Sequence, residues 1–198
     1  VSILKEYGYD CTAIHPGQRS AWQRDTAYPY LGFDKFIDVD AFTVNRTFEH
    51  RLTSDRSSYD QVIAEYENRG DDPLFLFNVT IQNHGGYEDE NFRTTVQVAE
   101  AAGEFPQAEQ YLSLTKKSDQ ALEELYRSLD VISFHPYAEY WDEGFLQFTD
   151  AYIDVANRLE KPLLCTETCQ GSLNDQVRGE IVRQTLDCLL YTSPSPRD

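Results

Sequence analysis

The clearest patterned stretch of the chain is residues 74–81, where apolar and β-branched positions run together and predict a buried strand. The run gives way to three polar residues, Gln82, Asn83 and His84, and then to Gly85 and Gly86. Open α/β sheets bind ligands at the carboxyl ends of their strands, so a polar trio there marks a candidate site. His84 has the chemistry to donate to an anionic oxygen or to ligate a metal, and the glycine pair lets backbone approach a substrate. The alternative is a strand-end histidine in a turn.

The rest of the pattern fills in around that strand. Residues 13–16 follow a short strand, and Leu31-Gly32-Phe33 predicts a turn after an aromatic stretch. Ser58 is placed to cap a helix whose apolar positions Val62, Ile63 and Tyr66 share one face, closed by Gly70. Residues 88–105 are acidic and aperiodic and predict a surface loop beside the site. Pro106 suits the first turn of a helix reaching about residue 125, with Tyr111, Leu114, Leu122 and Leu125 on its buried face. From residue 130 the rhythm becomes strand (130–135), helix (145–159), strand (162–166) and helix (175–187). That β-α-β-α series belongs to parallel sheets or barrels.

Composition narrows the classes. Hydrophobic residues make up 40% of 198 positions and aromatics 13%, which places the chain among folded proteins. A formal charge of −17 with no Lys/Arg patch argues against a nucleic-acid partner. No apolar run approaches the roughly 20 residues of a membrane helix, and no signal peptide is visible. The chain opens on Val1 and contains no methionine, which suggests a start inside a longer reading frame. Among four cysteines only Cys165-x-x-x-Cys169 is closely spaced, a weak zinc signal.

Three ordered blocks then carry a resemblance. They are His15-Pro16 with Ala21-Trp22-Gln23-Arg24-Asp25 and the nonapeptide from Tyr28 to Phe36 (YPYLGFDKF), next Phe77 to Tyr87 (FNVTIQNHGGY), and last Gln107 to Leu114 (QAEQYLSL). Together they resemble the lipoteichoic acid synthase family, sulfatase-like phosphoglycerol transferases of Gram-positive bacteria. The resemblance implies an alkaline-phosphatase-like α/β/α sandwich on the extracellular face of the bacterial membrane. It also implies transfer of glycerol phosphate from phosphatidylglycerol through a covalent threonine intermediate, assisted by a divalent metal, usually manganese. Trp22 and Arg24 match the family's residues beside the bound glycerol phosphate, His84 matches a histidine contacting the same group, and His15 matches a histidine near the site. Gly17 stands where some members carry an acidic or polar residue. Arg24 would offer a planar fork of donors to phosphate, His84 would stabilise charge on the phosphoryl group, and Trp22 would wall the pocket. The alternatives are a core tryptophan and a surface ion pair.

The family's metal is held by a glutamate and the nucleophilic threonine upstream, and by an Asp-His pair after a glycine downstream. Val1 falls beyond the first two, and no Gly-Asp-His occurs. The expectation is therefore a set of substrate-side residues with no nucleophile or metal ligands, inactive as it stands.

Residues 129–187 read differently. Ser133-Phe134-His135-Pro136-Tyr137 and Lys161-Pro162-Leu163-Leu164-Cys165-Thr166-Glu167 resemble the late strands of a (β/α)₈ glycoside hydrolase of the cellulase or mannanase kind. That resemblance implies a polysaccharide substrate, His135 and Tyr137 at a sugar subsite, and Glu167 as the nucleophile of a retaining enzyme. Retention needs a second carboxyl about 5 Å away, from an earlier strand this chain lacks. The alternative for Glu167 is an N-cap or loop carboxylate. Residues 188–198 resemble a translated sequencing adapter. The expected organisation is a partial α/β/α sandwich over 1–128, part of a TIM barrel over 129–187 and an artefactual tail over 188–198. Their order points to a truncated metagenomic chimera joined near Ser128-Leu129-Asp130.

Overall fold

The computed structural model describes residues 1–134 and 143–165, together with Gln176, Gly179, Glu180 and Arg183. The chain divides into two compact units between Leu125 and Tyr126.

The first unit opens with α1 (Ser2–Glu6) and β1 (Asp10–Ile14), followed by α2 (Arg24–Tyr30) and β2 (Lys35–Ile37). A short antiparallel hairpin, β3 (Phe48–Glu49) and β4 (Leu52–Thr53), leads into α3 (Asp55–Glu67) and β5 (Leu74–Asn78). Then comes α4 (Pro106–Ser128), which crosses the boundary between units. β1 lies at the centre of a parallel sheet of order β2-β1-β5, with Ala13 opposite both Phe36 and Phe77. The ladder continues one step past the strands, where His15 N–H donates to the Ile37 carbonyl and Val79 N–H to that of Ile14.

The nonapeptide from Tyr28 to Phe36 is largely a packing device. Tyr28, the one buried residue of α2, meets Phe36 edge-on at 4.7 Å and Phe33 at 5.5 Å, over Ala13. Such aromatic pairs contribute about 0.5–1.5 kcal/mol each beyond their buried area. Gly32, at φ 96°, follows the end of α2 in the left-handed conformation glycine takes without penalty. Asp34 then locks the turn to β1, accepting from Cys11 N–H and pairing with Lys5.

The elements depart from the expected pattern at several points. The strand predicted over 74–81 ends at Asn78, and residues 74–76 are only half-buried, with Phe77 exposed. β5 has a described neighbour on one side only, and past Val79 the chain leaves the sheet. The cap of α3 is Ser54, not Ser58; its extended backbone lets the side chain accept from Ser57 N–H. The buried face of α3 is polar, formed by Asp55, Ser57, Ser58 and Gln61, while Tyr66 is exposed. Those side chains serve neighbouring segments. Gln61 Oε1 accepts from Thr43 N–H, Ser57 Oγ from Thr47 N–H, and Ser58 donates to Asn78 Oδ1.

α4 starts at Pro106 as predicted and buries Leu114, but Tyr111 is exposed. Polar residues hold the preceding loop against it. Glu109 accepts from Val98 and Gly103 N–H, and Ser113 accepts from Thr95 and Val96 N–H.

In the second unit β6 (Ile132–Phe134) and β7 (Leu163–Cys165) pair in parallel, with α5 (Glu143–Arg158) between them in sequence. The predicted strand-helix-strand order is present, each strand shorter than its pattern. Ile132, Ala156 and Leu159 form its core, with Tyr126, Val155 and Leu163 against them.

Candidate functional site

The carboxyl ends of β1 and β5 open onto a cleft of about 600 Å³. His15, Trp22, Arg24 and His84, drawn from separate parts of the sequence, all line it, with Gly17, Leu52, Ile81 and Asn83. Among the described residues Arg24 is its one permanent cation, and no carboxylate lines it. On a chain of charge −17 such a lining departs from the acidic character of the whole.

His15 forms part of the cleft lining. It is 2% exposed, and its Nδ1–H donates to the Val79 carbonyl at 2.8 Å, tying the ends of β1 and β5 together. That bond fixes the tautomer and leaves a lone pair on Nε2. Burial, with a smaller contribution from Arg24, lowers the His15 pKa from its ordinary 6.5; the Val79 bond opposes the shift. His15 is therefore a neutral acceptor at pH 7. Gly17 explains itself beside it, because a Cβ there would stand 2.6 Å from His15 Nε2. The loop is anchored by Gly17 O accepting from Val39 N–H.

Trp22 and Gln23 both adopt left-handed backbone, at φ 57° and 53°. Non-glycine residues in that region cost of order 1–3 kcal/mol each and concentrate at functional sites. The kink precedes α2 and leaves the Trp22 indole 80% exposed at the cleft, so it is not core. Arg24 begins α2, half-buried, and donates to the Ala21 carbonyl at 3.0 Å. Among the described residues it has no carboxylate partner, so it is not a surface ion pair.

The polar trio after β5 separates by role. Gln82 is 1% exposed and faces away from the cleft. Its Oε1 accepts from Asp55 N–H, and its Nε2 donates to the Leu114 carbonyl and Ser118 Oγ, so it joins α3 to α4. Asn83 and His84 line the cleft, His84 exposed. The sequence reading missed His50, a 7% exposed residue whose Nε2–H donates to the His84 carbonyl at 3.3 Å. Its signal, a histidine flanked by charged residues, is indistinguishable from a surface turn.

His135, Tyr137 and Glu167 lie outside the described residues, as does most of the helix expected over 175–187. Among the described residues no three His, Cys, Asp or Glu side chains come together as a metal site. The cleft offers imidazole, amide and guanidinium groups, which do not suit the oxygen-rich shell manganese favours.

The sulfatase family profile matches residues 1–131. The capsular polysaccharide biosynthesis protein RkpI of Rhizobium meliloti is 30% identical over 128 residues, 64% of this chain and 22% of its own length. The lipoteichoic acid synthase of Staphylococcus saprophyticus is 23% identical over 130 residues, 63% of this chain and 19% of its own. Among solved structures, the lipoteichoic acid synthase LtaP from Listeria monocytogenes superposes with a TM-score of 0.52 at 20% identity, over 65% of this chain and 31% of that one. The chain thus spans about a fifth of the length of the curated relatives it matches. These matches lend the glycoside hydrolase resemblance of residues 129–187 no support. The parallel β2-β1-β5 sheet flanked by helices shares the α/β fold of LtaP, and the chain belongs to the sulfatase family.

Proposed function

We propose that the cleft binds the glycerol phosphate head of phosphatidylglycerol, as the substrate-side part of a phosphoglycerol transferase acting at the outer face of a bacterial membrane. The observation that carries this reading is the convergence of Trp22, Arg24, His15 and His84 on one cleft that, among the described residues, no carboxylate lines. Arg24 supplies a charge-assisted fork to two phosphate oxygens. His84 donates to the same group from the opposite strand end. Neutral His15 presents Nε2 to a ligand hydroxyl, and the Trp22 indole covers the glycerol carbons. Relatives named for lipoteichoic acid synthesis agree with a glycerol phosphate ligand.

In this role the cleft residues bind and orient the ligand. Amide and imidazole NMR shifts followed during titration with sn-glycerol 1-phosphate, inorganic phosphate and glycerol test it. Shifts at Arg24, His84 and Trp22 with glycerol phosphate, weaker with phosphate and absent with glycerol, are expected. Equal response to phosphate and glycerol phosphate would remove the glycerol from the reading.

A further inference from the structure

We infer that His50 is a positioning residue whose side chain, held in a strained hairpin turn, clamps the loop carrying His84 into the cleft. The hairpin β3–β4 closes through His50 and Arg51, both left-handed at φ 48° and 66°. Two-residue hairpin loops of this kind strongly prefer Asn-Gly or Gly-Gly, because both central residues need positive φ. A His-Arg pair there is a costly choice for a turn alone, and strain of this kind persists only where surrounding contacts over-determine it.

The contacts are present. Beyond the Nε2–H bond to the His84 carbonyl, the His50 ring stacks on Tyr87, with centroids 5.9 Å apart and planes at 25°. Tyr87 in turn donates from its hydroxyl to the Asn83 carbonyl at 2.7 Å and meets Tyr111 of α4 edge-on. His50 and Tyr87 thus grip both carbonyls of the Asn83-His84 pair, just before Gly85-Gly86. Both gripped residues line the cleft, whereas neither His50 nor Tyr87 does. Among the described residues the buried His50 Nδ1 has no partner. An unpaired buried polar atom costs free energy, so the donor on the opposite nitrogen is what the imidazole contributes. The same hairpin sends Leu52 into the cleft wall, so one turn sets two sides of the site.

The effect on ligand affinity rests on the glycerol phosphate reading above; the effect on the loop does not. His50→Gly suits the test because glycine favours this turn, so a residue needed only for the turn would be replaced without loss. Hydrogen exchange on the unliganded protein should show the amides of His84 and Glu88 exchanging at least about tenfold faster in H50G, with those of β1 unchanged. Tyr87→Phe keeps the ring stack and removes only the Asn83 bond, so a smaller increase is expected. The Kd for sn-glycerol 1-phosphate should rise roughly tenfold at an unchanged melting temperature. Unchanged loop exchange in both variants overturns the inference. Faster exchange in a protein that never binds glycerol phosphate keeps the clamp and rejects the ligand.

Discussion

At the residue scale the site turns on His15 and its neighbour. Gly17→Val would drive a side chain into the imidazole, and displacement of His15 would break its bond to Val79. A loss of about 1–3 kcal/mol in denaturant unfolding is expected, the range for overpacking a filled site. Wild-type stability in that variant would show that the ring has room to move. The same histidine gives a pH dependence with a definite sign. Its folded pKa lies below the ordinary 6.5, so as pH falls the unfolded chain takes up a proton first. The contribution of His15 is therefore complete above about pH 6.5 and declines as pH drops toward the folded value. Urea midpoints measured from about pH 8 to pH 5 should carry this slope, and His15→Gln should remove part of it. An identical slope in the variant would mean that other groups govern the transition.

At the element scale, the first unit is held by polar side chains where the sequence pattern leads one to expect apolar ones. Gln82 is the clearest case, making three bonds that join α3 and α4 from a buried position. Gln82→Leu leaves Asp55 N–H without that partner and should cost about 1–3 kcal/mol. Ser54→Ala, removing the N-cap of α3, should cost about 0.5–2 kcal/mol. A cost below a few tenths for either variant, read from unfolding midpoints, would contradict the assignment. These cases also show what the sequence made legible. The strand-helix order, the start of α4 at Pro106 and the cleft position of Trp22, Arg24, His15 and His84 were readable from apolar rhythm and ordered motifs. The end of β5 was not, because Thr80-Ile81 keeps strand-like residues after the backbone has left the sheet. Nor was the polar face of α3, since Ser57, Ser58 and Gln61 look like solvent positions until the loops they bond are seen. Gln82 and His84 stand two residues apart and read alike, yet one is core and the other lines the cleft.

At the scale of the whole molecule, the sulfatase match ends at residue 131 and the compact units part at Leu125 and Tyr126. Whether two genes meet near Ser128-Leu129-Asp130 is decided at the DNA. Amplification from source DNA across codons 110–145 should yield little or no single product if two genes meet there; an abundant clean product contradicts a chimera. Among the described residues no helix is long and apolar enough to cross a membrane. The central claim is that Arg24 and its cleft partners hold glycerol phosphate. Calorimetry of the chain and of its Arg24→Ala variant against sn-glycerol 1-phosphate tests it most directly. Measurable binding by the parent that Arg24→Ala abolishes is the predicted result, and no binding by the parent, or equal binding by both, contradicts the account.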